Sequence, residues 1–252
     1  MATALVTGAS SGLGAEFARQ LADRGADLVL VGRNQDGLDA VAAQVRARSR
    51  AAEVLVADLL DPTALAAVTA RLTDPARPVE ILVNNAGFGL PLDFERNDID
   101  AEVAHLRLHD EVPMRLTHAV LAPMLARGHG RILNVASIAA FMPRSTYGAV
   151  KRWLVSFSCW AHVTYAPRGV TVTVVCPGFV HTRFHERLGL PPGQEGIPGM
   201  LWLQAPDVVR VALRDLARGK AVSIPSLRYK IAARLLPLLP DRLTARIGQS
   251  GR

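Results

Sequence analysis

Along the chain, short apolar runs alternate with longer stretches in which apolar residues recur three and four positions apart. The short runs are ATALVT (2–7), ADLVLVG (26–32), AEVLVAD (52–58), VEILVNN (79–85), GRILNVAS (130–137), VTVTVVCP (170–177) and AVSIPS (221–226). They are rich in β-branched residues and show little apolar/polar alternation, so they read as strands covered on both faces. The longer stretches, 13–24, 36–49, 62–73, roughly 98–127, 147–165 and 206–218, read as helices. Asp61-Pro62 and Pro206-Asp207 place a proline where a helix begins, the position at which its missing N–H is least costly. The alternation predicts a single doubly wound α/β domain with a parallel sheet of about seven strands and helices on both faces.

Two segments lie outside this pattern. Residues 178–205 (GFVHTRFHERLGLPPGQEGIPGMLWLQA) are rich in Gly and Pro and punctuated by large apolar residues, as expected of a lid or binding loop. Residues 225–252 form a basic amphipathic tail interrupted by Pro237 and Pro240. Covering the substrate pocket, completing a subunit contact, local packing and touching a membrane surface are its open roles. The expected organisation is one domain over 1–225 with a C-terminal extension over 226–252.

Composition narrows the class. Half of the 252 residues are hydrophobic and 20% are charged, which supports a substantial core and argues against disorder. The start MATALVTG has neither a charged lead nor a signal-length apolar run, and no stretch is long and apolar enough to span a bilayer. Cys159 and Cys176 form no recognisable disulfide or metal framework, so no metal site is expected. A soluble, cytoplasmic protein is the expectation. The net charge of +7 comes from scattered arginines with no basic block interleaved with aromatics. Anionic small molecules therefore fit better than nucleic acid.

The chemistry begins at TGASSGLG, Thr7 to Gly14, between the first strand and the first helix. Glycines at this junction allow a tight turn and close approach of a pyrophosphate to the helix N-terminus. In that context the turn predicts a dinucleotide site of the Rossmann type, with Gly8, Ser10, Ser11, Gly12, Leu13 and Gly14 as its contacts. The second strand ends in VGRN, with Arg33 where an acidic residue would select a ribose 2′-hydroxyl. A cation there suits a 2′-phosphate, with Ser10 and Asn34 as further donors, and favours NADP(H) over NAD.

TYGAVK (146–151) places Tyr147 and Lys151 four apart, on one face of a helix. Only Lys151, Lys220 and Lys230 are lysines among 29 Lys and Arg residues, so Lys151 marks a place that wants a compact ammonium.

The motifs occur in a distinctive order: TGASSGLG, ADL at 57–59, NNAG at 84–87, NVAS at 134–137, YGAVK at 147–151 and PGFVHT at 177–182. In this the chain resembles the short-chain dehydrogenase/reductase (SDR) family over residues 2 to about 225. The resemblance implies a catalytic set of Ser137, Tyr147 and Lys151. It implies further cofactor contacts at Asp58 and Leu59, at Asn85, Ala86 and Gly87, and at Pro177, Gly178, Val180 and Thr182, with Asn84 in the element that supports the central strand beside the cofactor. Tyr147 and Lys151 would also meet the nicotinamide end. Ser137 would hold a substrate carbonyl while Tyr147 donates a proton, the phenol being drawn down from its ordinary value near 10 by the ammonium and an oxidised nicotinamide.

Two departures stand out. The gap from Ser137 to Tyr147 is ten residues, shorter than in many family members, which reshapes the pocket wall. His109 falls where the family usually has an asparagine that holds a water behind the lysine. It is expected to hold that water, to relay a proton itself as a group that titrates near neutrality, or only to occupy the slot. A one-residue slip would put Leu108 or Asp110 there. In the helix 147–165, Val150, Leu154, Phe157 and Ala161 form one apolar stripe, and Trp153 and Trp160 lie on another face. The matching family helix pairs across a subunit interface, so a homodimer or homotetramer is expected.

The leading expectation is an NADPH-dependent reductase of an apolar ketone or aldehyde. Phe179, Phe184, Leu188, Leu190, Met200, Leu201 and Trp202 supply the apolar character, and His181 and His185 are read as non-catalytic. Alternatives are the reverse oxidation of an alcohol or steroid-like substrate, and a catalytically idle dinucleotide-binding sensor or scaffold.

Overall fold

Seven parallel strands form one sheet in the computed structural model, which describes residues 2–143, 145–181 and 198–236. The strands are β1 (Thr3–Thr7), β2 (Asp27–Gly32), β3 (Ala52–Val56), β4 (Ile81–Asn84), β5 (Gly130–Val135), β6 (Val170–Val175) and β7 (Val222–Ser223). Their spatial order is β3-β2-β1-β4-β5-β6-β7. The helices are α1 (Gly12–Asp23), α2 (Gln35–Arg46), α3 (Pro62–Thr73), α4 (Ile99–Leu106), α5 (Val112–Arg127), α6 (Thr146–Tyr165), α7 (Ala205–Ala217) and α8 (Leu227–Leu235).

Helices α1, α2 and α7 cover one face of the sheet, around Phe17, Leu30, Leu38 and Leu213. Helices α3, α5 and α6 cover the other, around Leu5, Leu72, Leu116, Met124 and Ala161. The interior strands are buried on both faces, as their unbroken apolar runs predict. The AEVLVAD run behaves differently. Its strand β3 is the sheet edge, and Val56 is 47% exposed, because an edge strand has a neighbour on one side only. AVSIPS contributes only the two-residue strand β7 at the other edge.

The proline signals hold. Pro62 opens α3, and the Asp61 side chain caps it by accepting from the Ala64 N–H at 2.7 Å. The single helix expected over about 98–127 is instead two α-helices joined by one π turn, Arg107–Glu111. Pro113 explains the break, since it has no N–H to offer the carbonyl of His109, four residues earlier. Within the irregular segment, Val180 pairs with Leu203 and Gly199–Leu201 makes a short 3₁₀ turn. Thr182, Phe184, His185, Leu188 and Leu190 lie outside the described residues, as do Pro237 and Pro240 of the tail. Among the described residues, no helix is long and apolar enough to cross a membrane.

Candidate active site

The chain runs from β1 outward to β2 and β3, then returns to the far side of β1 to lay down β4 through β7. A crevice opens where the strand order reverses, outside the carboxyl ends of β1 and β4. The glycine turn stands at that point. Gly8 and Gly12 take left-handed φ values of 65° and 57°, and a β-carbon on Gly14 would lie 2.1 Å from the Gly8 carbonyl oxygen. The Thr7 hydroxyl donates to the Val83 carbonyl at 3.3 Å and accepts from the N–H groups of Asn85 and Ala86 at 2.9 and 3.0 Å. Asn85 returns the contact by donating from Nδ2 to the carbonyls of Thr7, at 2.9 Å, and Gly8, at 3.3 Å. Its side chain therefore braces the turn.

The first turn of α1 contains no acidic residue, and the Ser11 side chain at its N-cap makes no capping bond. That N-terminus suits a phosphate, which the backbone N–H groups and helix dipole favour. At the end of β2, Arg33 lies 3.7 Å from Asp58 on the crevice rim. The Asn34 carbonyl oxygen is engaged in capping α2, accepting from the Gly37 N–H at 2.7 Å, which leaves its NH₂ group as the donor.

These groups line one cavity of about 890 Å³. It brings together Gly8, Ser10, Ser11, Gly12, Leu13, Arg33, Asn34, Asp58, Leu59, Asn85, Ala86 and Gly87 with Pro177, Gly178 and Val180. Ser137, Tyr147, Lys151 and His109 line it too. Gly14 stands behind the turn as a packing residue.

Ser137 follows β5, and Tyr147 and Lys151 stand on the first turns of α6. The short gap between them is taken up by a 3₁₀ turn, Ile138–Phe141, and by Ser145, whose hydroxyl caps α6 by accepting from Gly148 N–H at 3.3 Å. Ser137 and Tyr147 are hydrogen-bonded to each other despite the shortening. Lys151 is buried and donates from Nζ to the Val135 carbonyl at 2.9 Å, with Nζ 5.6 Å from the centre of the Tyr147 ring. The protein environment does not lower the phenol as expected from the pairing. Burial pushes Tyr147 up to about 12 against the opposing bond from Ser137. Burial also pulls Lys151 down to about 8, with Asp110 acting in the other direction. Tyr147 is thus protonated at neutral pH.

His109 lies in the π turn, and its Nε2 meets the backbone of Phe88, 3.1 Å from the N–H and 2.9 Å from the carbonyl oxygen. Which of the two bonds forms depends on the tautomer. The expectation that His109 titrates near neutrality is corrected here. Burial holds its pKa well below the ordinary value, so the ring is neutral at pH 7. Its Nδ1 is buried without a partner among the described residues.

Two neighbours escaped the sequence reading of the site, and a third, Asp110, entered it only as an alternative to His109. His105 lies against His109 with ring centres 4.4 Å apart and planes tilted by 31°, and neither of its nitrogens has a partner among the described residues. Phe88 sets its ring edge-on to both histidines. Asp110 is buried near Lys151, and burial raises its carboxyl to about 7. The i,i+4 spacing of His105 and His109 was the available signal.

A further set holds α6 in place. Asn84 Nδ2 donates to Asn134 Oδ1 at 2.8 Å, Asn134 Nδ2 donates to the Ser158 hydroxyl at 2.8 Å, and Ser158 donates to the Leu154 carbonyl at 2.6 Å. This buried ladder ties β4 and β5 to the helix that carries Tyr147 and Lys151. Polar side chains interrupting apolar runs were its sequence signal.

Fold and crevice together define an α/β protein of the dinucleotide-binding class. The chain belongs to the short-chain dehydrogenase family of oxidoreductases, whose model matches residues 2–191. It is 32% identical over 220 residues to the oxidoreductase UcpA of Escherichia coli K12, covering 84% of this chain and 82% of the relative. It resembles the structure of a short-chain dehydrogenase from Sphingobium yanoikuyae in complex with NADPH, with a TM-score of 0.84 and 36% identity over 99% of this chain and 95% of that one. It also resembles the bulky-bulky ketone specific alcohol dehydrogenase from Comamonas testosteroni, with a TM-score of 0.81 and 30% identity over 93% of this chain and 91% of that one.

Proposed function

We propose that the protein is an NADPH-dependent reductase of apolar ketones or aldehydes in which Tyr147 is the proton donor. The observation that carries this reading is the hydrogen-bonded pair Ser137 and Tyr147, lining the same cavity as the glycine turn and Arg33. The NADPH complex of the Sphingobium relative supports the cofactor, and the ketone specificity of the Comamonas relative supports the substrate class.

NADP(H), when bound, supplies the hydride and accepts it in the reverse direction. The N–H groups at the start of α1 would hold the pyrophosphate, and Arg33 would hold the 2′-phosphate. Ser137 donates a hydrogen bond to the substrate carbonyl oxygen. As that oxygen gains negative charge, Tyr147 passes it the phenolic proton, so carbonyl, hydride and proton sum to an alcohol. The resulting phenolate is favoured by the Lys151 ammonium, which β5 anchors through Val135. Phe88, Leu90, Leu92, Leu108, Ile138 and Met142 give the cavity an apolar wall.

The test is NADPH oxidation against a panel of ketones, aldehydes, diketones and acyl thioesters. Tyr147→Phe should bind NADPH normally and lose on the order of 10² or more in kcat. Wild-type turnover in that variant would sink the mechanism.

A further inference from the structure

A β-carbon built on Gly178 would lie 2.0 Å from Cε2 and Cζ of Tyr229, so the ring of this α8 residue rests directly on the cavity-wall backbone. The Tyr229 hydroxyl uses both of its hydrogen-bonding roles. It accepts from the Phe179 N–H at 3.3 Å and donates to the Leu201 carbonyl at 2.7 Å. The two segments it joins also pair with each other: Leu203 N–H donates to the Phe179 carbonyl at 2.8 Å, and His181 N–H to the Leu203 carbonyl at 3.1 Å. Arg228, the preceding residue of α8, donates to the Met200 carbonyl. Tyr229 and Ala233 further share a buried apolar cluster with Ile138, the residue after Ser137. The Ile138 N–H in turn donates to the Pro177 carbonyl at 2.8 Å.

We infer that Tyr229 is a positioning residue for the substrate side of the cavity. One phenol joins α8 to the wall segment at Phe179 and to the segment around Leu201 that pairs with it, and its ring packs against the turn that follows Ser137. Phe179 and Ile138 line the cavity beside Ser137 and Tyr147, so the surface a carbonyl substrate meets is held from the C-terminal helix. The glycine turn and Arg33 stand on β1 and β2, at the other end of the crevice. The clamp therefore acts on substrate binding rather than on the adenosine end of the cofactor. This inference rests on the carbonyl-reductase reading of the cavity.

Tyr229→Phe removes the hydroxyl and keeps the ring on Gly178. In that variant KM for a ketone substrate should rise about tenfold, with kcat and the NADPH Kd held within about twofold. Amide exchange at Phe179 should quicken about tenfold while β5 amides keep their protection. An unchanged KM overturns the inference. So does a matching loss of kcat and NADPH affinity with faster exchange throughout the sheet, which marks a merely structural role. If the wild type reduces no carbonyl compound with NADPH, the functional reading fails and the exchange measurement decides the clamp alone. Faster exchange at Phe179 then supports the clamp, and unchanged exchange overturns it.

Discussion

The imidazole of His109 packs so closely on Gly87 that a β-carbon there would lie 2.8 Å from Cε1 and 2.9 Å from Nε2. Ring and glycine are a matched pair, and the ring also holds the next residue, Phe88, through its backbone. Gly87→Ala is expected to cost about 1–3 kcal/mol, as overpacking against a buried ring does. His109→Asn shortens the side chain and opens that space. In the double variant the two losses should therefore sum to less than they do separately. Urea unfolding of the four proteins measures this, and strictly additive losses would contradict the contact.

The two adjoining histidines, His105 and His109, give stability a direction with pH. Burial, assisted by the charge of Lys151, lowers His105 to about 4 and places His109 well below its ordinary value. In the unfolded chain both protonate near the ordinary imidazole value of about 6.5. Below that pH the unfolded state binds more protons, so stability present above it is lost as the pH falls toward 4. Asp110 opposes the trend. Its carboxyl is raised from 3.8 to about 7, so over that interval the folded state holds the extra proton and stability grows as the pH falls. Two imidazoles outweigh one carboxyl, and the protein should weaken between pH 7 and 5. Urea midpoints across that range should show a shallower loss in His105→Gln and a steeper one in Asp110→Asn. A flat wild-type profile, or a shallower loss in Asp110→Asn, would contradict the assignment.

What the sequence made legible follows from how each feature is encoded. The interior strands are local and buried on both faces, so their apolar runs were readable. The glycine turn and the trio Ser137, Tyr147 and Lys151 follow short spacings tied to strand ends and one helix turn. The behaviour of Tyr147 was not readable. A lysine four residues away suggests a lowered phenol, but burial by surrounding elements decides the direction. The clamp made by Tyr229 joins residues about fifty positions apart, beyond any local pattern. The π turn did leave a trace in Pro113, whose missing N–H faces His109 across one helical turn.

Arg33 is the residue expected to choose between the two dinucleotides. Its ion pair with Asp58 is exposed on both sides, and such pairs contribute about 0–1 kcal/mol. The guanidinium is therefore weakly committed and accessible to a phosphate. Arg33→Ala should weaken NADPH binding about 10- to 100-fold and change NADH binding by less than about threefold. Melting temperature should barely move. Fluorescence titration with both cofactors measures the split, and an equal loss for both would remove Arg33 from 2′-phosphate recognition.

Helix α6 buries Val150, Leu154 and Ala161 within its own chain but leaves Trp153 38% and Trp160 55% exposed. Trp153 stacks on Phe157 with ring centres 5.1 Å apart, so the exposed face is an ordered aromatic surface. Helix α4 adds Ile99, Val103 and Leu106, each large, apolar and exposed. Covering such a face with a second copy removes apolar area from water, at about 25 cal/mol per Å². The expected state in solution is therefore a homo-oligomer joined through α6, with Trp160 in the contact. Trp160→Glu places a charge where the partner's apolar surface would bury it, and should shift the protein toward monomer at micromolar concentration. Sedimentation velocity reads the change directly. A wild type that is strictly monomeric at micromolar concentration, or a Trp160→Glu variant with unchanged mass, would show that this face is covered in some other way.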